Sequence, residues 1–113
     1  MTELHSDNPF INELHEYLKE YEIYLNKTEL TKATIYKHTL VITWFLSSLE
    51  DYEINGFEDL TVPILKSKFH QYIKNNDEDV SQSFLITALK RYFEFIYSNY
   101  NISTSIIRKA FKL

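Results

Sequence analysis

Residues 34–49 read TIYKHTLVITWFLSSL, and residues 81–96 read SQSFLITALKRYFEFI. Their reading decides the fold. In the first, Ile35, His38, Ile42, Phe45, Leu46 and Leu49 recur every three or four residues, the spacing that lines one face of an α-helix. In the second, Leu85, Leu89, Tyr92, Phe93 and Ile96 share the main face, and Phe84, Ala88 and Phe95 form a flank beside it. Neither stretch contains Gly or Pro, so nothing interrupts the period. Thr31 or its neighbourhood caps the first stretch and Ser81 the second, because a hydroxyl there accepts an otherwise unpaired helical N–H. These helices are expected over about 31–49 and 81–98.

Working outward, Asn8-Pro9 marks another helix start, with Pro where a missing N–H costs nothing. Ile11, Leu14, Leu18, Tyr21 and Leu25 follow at helical spacing. Thr61 opens a helix with Pro63 in its first turn and Leu65, Phe69, Tyr72 and Ile73 as its buried stripe. Asp51–Asp59 is an acidic loop holding Gly56, and Asn75–Asp79 is a polar break. Ile106, Ile107, Ala110 and Phe111 make a last amphipathic turn or two, with Arg108, Lys109 and Lys112 between them. One Gly and two Pro in 113 residues leave little material for hairpins. The expected fold is an all-α bundle of four or five helices in one domain over 1–113. The bundle occupies 8–102, and 103–113 form a short helix or tail. A faint repeat at an offset of 48 aligns Thr39, Trp44, Phe45, Tyr52 and Ile54 with Thr87, Tyr92, Phe93, Tyr100 and Ile102. Two similar amphipathic helices produce such a match by chance as well as by duplication.

Composition narrows the chemistry. The absence of Cys excludes disulfides and thiolate catalysis and fits a reducing cytoplasm. No apolar run is long enough to span a membrane, and the acidic, polar opening Met1-Thr2-Glu3 is unlike a signal peptide. His15-Glu16 begins like a zinc-protease helix, but Lys19 stands where the second His belongs. His5, His15, His38 and His70 are too scattered for a metal site, and Asp77-Glu78-Asp79 lacks the spacing of a calcium loop. A single Gly cannot build a phosphate-cradling loop. No metal and no cofactor is expected. The charge is −4 overall but uneven. Residues 1–60 hold twelve acids and four bases, and residues 61–113 hold four acids and eight bases. A polyanion is expected to approach the second half, unless the acids merely solvate helix faces.

The helix over 31–49 carries a second apolar stripe. Tyr36, Leu40 and Trp44, at i, i+4 and i+8, lie opposite the core face. Either the helix is buried twice, under the first helix or the C-terminal tail, or this stripe is reserved for a partner. Tyr and Trp are common interface anchors, so Tyr36, Leu40 and Trp44, with Phe84, are the expected protein-interface residues. The partner would be another protein or a second copy of the chain.

Taken together, Thr34-Ile35, Ile42, Phe45-Leu46 and Leu49, the loop Glu58-Asp59-Leu60-Thr61, and Ser81, Ala88-Leu89-Lys90, Phe93 and Phe95-Ile96 resemble the N-terminal core-binding (SAM-like) domain of tyrosine recombinases, the phage integrase family. The resemblance runs from Phe10 to Ile102. In that family a separate catalytic domain cleaves DNA with a tyrosine supported by arginines and a His-x-x-Arg element. This chain has only Arg91 and Arg108, and no His is followed by Arg three residues on. Its nine tyrosines are therefore read as packing and surface residues, and no enzymatic activity is expected. The resemblance places the starts of the second and fourth helices against DNA. It implies contacts from Lys32, Thr34 and Lys37, from Ser81, Ser83, Lys90 and Arg91, and from Lys66 and Lys68 on the third helix. The chain departs from the family in having Tyr36, Thr39, Leu40, Thr43, Phe84 and Leu85 where basic residues are frequent, which weakens the electrostatic part of duplex binding. The expected function is that of a cytoplasmic, non-catalytic DNA-binding accessory protein of a mobile genetic element. It would bind duplex or single-stranded DNA with weak to moderate affinity and recruit a recombination or replication enzyme. The alternative is a protein-interaction module, an accessory subunit of a polymerase, primase or recombinase. A third is a truncated integrase competing for sites.

Overall fold

A computed structural model describes residues 8–49, 54–75 and 80–111. Its elements are α1 (Pro9–Leu25), α2 (Lys32–Ser48), a 3-10 turn (Phe57–Asp59), α3 (Val62–Lys74), α4 (Gln82–Asn99) and α5 (Ser105–Ala110), with no strand among the described residues. Residues 51–53 of the acidic loop and 76–79 of the polar break lie outside the described residues.

The helix starts follow from local chemistry. Asn8 Oδ1 accepts from the N–H groups of Phe10 (2.9 Å) and Ile11 (3.3 Å). Its amide donates to the Ile54 carbonyl at 2.6 Å, tying the start of α1 to the distant loop. Thr31 and Ser81 cap α2 and α4 through bonds from the Thr34 and Phe84 N–H groups. Thr61 holds the cap position of α3, but its side chain accepts no bond there. α4 ends on Asn101, whose φ of 57° is left-handed. Bonds from Ile102 N–H to Tyr97 O and from Asn101 N–H to Ser98 O close the exit, the arrangement that usually recruits Gly. Asn is among the few other residues that enter this region at low cost.

One core joins the helices. At its centre Phe45 of α2, Phe69 of α3 and Phe93 of α4 meet with centroid distances of 5.0, 5.7 and 5.9 Å. Phe111, just after α5, stacks on Phe69 at 4.1 Å, which closes α5 onto α3. The buried face of α2 contains the expected Ile35, His38, Ile42, Phe45, Leu46 and Leu49 and also Val41. Phe10 and Tyr97, outside the expected stripes, are buried too, and Ala88 is core rather than flank. The apparent repeat breaks at one pair: Phe45 and Phe93 are both core, but Trp44 is exposed where Tyr92 is fully buried.

Polar side chains cross between helices and end on backbone carbonyls. The Tyr92 hydroxyl donates to Leu14 O, Tyr72 Oη to Val41 O at 3.0 Å, and Lys68 Nζ to Ser48 O at 3.3 Å. Tyr92 is buried, and desolvation pushes its phenol well above the ordinary tyrosine pKa, which keeps it a donor.

The two faces of α2 should respond differently to truncation. Phe45→Ala removes the centre of the aromatic cluster and is expected to cost about 3–5 kcal/mol in denaturant unfolding. Tyr36→Ser, on the opposite and exposed face, is expected to stay within about 0.5 kcal/mol. Equal losses would show that α2 has no free face.

Candidate nucleic-acid and partner surfaces

The second turn of α2 abuts the first turn of α4. Lys37 Nζ lies 5.3 Å from the centroid of the Phe84 ring, and the His38 ring packs against the same Phe84 at 4.8 Å. Phe84 therefore fills the seam as a spacer, while Lys37 stays exposed and gains the modest attraction of a cation over an aromatic face. Lys32, Ser81 and Ser83 are exposed and Thr34 is half-buried. Thr34 shares a hydroxyl–hydroxyl bond of 2.9 Å with the cap Thr31. Two turns along α4, Lys90 is half-buried and Arg91 exposed. Among the described residues no ion pair engages Lys32, Lys37, Lys90 or Arg91.

The α3 lysines sit elsewhere. Lys68 is 7% exposed, and its ammonium reaches Ser48 at the C-terminal end of α2, a favourable place for a cation. That is the end opposite Lys32. Lys68 is thus part of the α2–α3 joint rather than of an open surface, because its long stem is used as packing. Lys66 is exposed on α3, and no observed contact brings it to the α2–α4 seam.

Of the second α2 stripe, Tyr36 is 64% and Trp44 37% exposed, and Leu40 is half-buried. Tyr36 is thus open to solvent, while Leu40 and Trp44 are partly covered. Phe84 belongs to a different local setting, wedged between Lys37 and His38.

A groove between α1 and α4 was not visible in the sequence. It holds about 470 Å³, opens to solvent, and is lined by Tyr21, Tyr24, Arg91, Glu94, Phe95, Ser98 and Asn99. Tyr21, Tyr24 and Phe95 form its aromatic part, with centroids 5.1–6.0 Å apart. Tyr24 lies three residues beyond Tyr21, off the buried stripe, and is 47% exposed. An exposed ring beside a buried one was the available signal. Burial pushes the Tyr21 phenol up to about 12 against the opposing Arg91 charge.

Among the described residues no cluster of three potential metal ligands occurs, and no helix is long and apolar enough to cross a membrane. No protein family, no curated protein and no solved structure matches this chain.

His38 is 3% exposed, with Nδ1 unpaired within the protein. Burial, reinforced by the Arg91 charge, holds its pKa below the ordinary value of 6.5. The folded chain keeps His38 neutral while the unfolded chain takes up a proton as the pH falls through about 6.5. The stability held by this neutral group is therefore present above that pH and is lost progressively below it. The urea midpoint is expected to fall from about pH 7 to about pH 5, and to fall less in His38→Gln. An unchanged pH slope in that variant would show that another group carries the effect.

Proposed function

We propose that this chain is a non-catalytic DNA-binding accessory protein of a mobile genetic element. In this reading it is a relative of the tyrosine recombinase core-binding domain that recruits or assists a recombination or replication enzyme. The observation that carries the reading is the abutment of α2 and α4 through Lys37 and Phe84. It sets Lys37, on the second turn of α2, against the first turn of α4, where Ser83 follows the cap Ser81, with Arg91 close enough for its charge to act on His38, while Lys32 opens the first turn of α2. Helix starts present unpaired N–H groups and partial positive charge, and the lysines add to it, a surface suited to phosphate. The overall charge of −4 restricts such binding to this patch and makes it modest.

A second reading, a docking module for the partner enzyme, is favoured by the exposure of Tyr36 and Trp44. The stripe lies on the face of α2 away from its core and continues the row that starts at Lys32, so the two surfaces adjoin.

Duplex binding should be tested by gel shift across a salt series. Affinity is expected to fall steeply with salt as phosphate contacts release counterions. The Lys37→Ala, Lys90→Ala, Arg91→Ala triple variant should bind all sequences less tightly, with a log–log slope shallower by about 2–3 units. Absence of binding to duplex and single strands at low salt would remove the DNA reading for the isolated protein. For the docking reading, Leu40→Ser with Trp44→Ser is expected to abolish association with the partner or with a second copy while the helical signal persists. Retained association would sink it.

A further inference from the structure

The groove between α1 and α4 combines three features that packing alone does not require. Its floor residue, Tyr21, is 1% exposed, yet its hydroxyl has no hydrogen-bond partner in the protein. A buried polar group without a partner is costly and rare, and this one belongs to a residue that lines an open concavity together with Arg91. The walls are two rings, Tyr24 and Phe95, with centroids 5.1 Å apart and planes inclined at 36°. The rim is polar, with Arg91, Glu94, Ser98 and Asn99.

We propose that this groove receives one unstacked base of a single-stranded nucleic acid, held against Tyr24 and Phe95, with its phosphate on Arg91 and the Tyr21 hydroxyl. The inference rests on the DNA reading above and names the form of nucleic acid. Arg91 and Tyr21 offer N–H and O–H donors to an anion, while Glu94 and Asn99 offer an acceptor and an amide to a base edge. Every base has a π-face, so an aromatic wall holds one without demanding a sequence. A base paired and stacked in a duplex cannot leave its stack to enter the groove without added cost. The site therefore favours single strands.

Charge complementarity along α4 separates this occupant from a peptide. Phe84, Arg91 and Phe95 lie at i, i+7 and i+11, one side of the helix, spanning roughly 16 Å at about 1.5 Å per residue. Each end sets a cation near a ring: Lys37 lies over Phe84, and Arg91, one turn before Phe95 on α4, lines the groove with it. Cations repeated alongside rings match a phosphate chain with flat bases, whereas a single aromatic peptide anchor would need only the groove.

The test is fluorescence anisotropy with a labelled oligo-dT and a labelled hairpin duplex, using the full chain and variants confirmed as helical by circular dichroism. Tyr24→Ala is expected to weaken oligo-dT binding about 5- to 150-fold, the range for loss of one stacked base, and to leave duplex binding within twofold. Tyr21→Phe removes only the unpartnered hydroxyl. It should weaken oligo-dT binding about tenfold while thermal stability is unchanged or raised, a split that a merely structural tyrosine would not produce. An oligo-dT carrying 5-iodouracil should cross-link under long-wavelength light to a peptide containing Tyr24 or Phe95. If duplex and oligo-dT bind equally and neither variant moves either, the DNA reading stands and this inference is overturned. If the wild-type chain binds neither probe, both fall. If Tyr24→Ala abolishes association with a protein partner while oligo-dT binding is unchanged, the groove is a protein site and the inference is overturned.

Discussion

The contact among Phe45, Phe69 and Phe93 is the constraint on which the rest of the molecule depends. Each ring comes from a different helix, and each touches the other two. The edge-to-face geometry of two of these pairs and the stacking of the other follow the ring quadrupole, which disfavours a perfect sandwich. Phe111 extends the cluster by stacking on Phe69. The six-residue α5 is too short to be stable alone, and this contact is what gives it a place.

Packing the rings this closely brings polar groups to helix backbones. Tyr92, Tyr72 and Lys68 each cross from one helix to a carbonyl of another. A buried donor must find a partner or cost several times what the bond contributes, so these three bonds make the relative positions of the helices more specific than apolar packing would. The unpaired hydroxyls of Tyr21 and Tyr97 stand apart from that rule. Both pack among rings, but Tyr21 belongs to the lining of the α1–α4 groove, which is why only Tyr21 enters the proposed base site.

The same packing decides which surface α4 leaves open. Its core side is filled by Leu85, Leu89, Tyr92, Phe93 and Ile96. Phe84 and Phe95 lie at the edge of that side, half-buried, one against α2 and the other against α1. Residues that are neither core nor solvent-facing are the ones that form seams, and the exposed cations Lys37 and Arg91 stand beside these two. The chemistry of the proposed surfaces thus comes from the margins of the core, where aromatic rings emerge next to charge.

Local sequence was enough to determine the helices and their caps, because period and capping depend on neighbours within one turn. The stripe Ile35, His38, Ile42, Phe45, Leu46 and Leu49 and the caps Asn8, Thr31 and Ser81 are as the spacing predicts. The second apolar stripe, Tyr36, Leu40 and Trp44, follows from the same period, but whether it is covered does not, and the structure leaves Tyr36 open while it half-buries Leu40. What the tertiary structure alone decided is where helices cross. Lys68 reads as a surface lysine until α2 ends beside it. Tyr24 and Arg91 are 67 residues apart by their numbering, and they line one groove because α1 and α4 pack side by side. A 3.6-residue period says which side of one helix is apolar, but the meeting of two helices depends on the ridges and grooves of both. That information is carried by the whole core and by no single stretch of sequence.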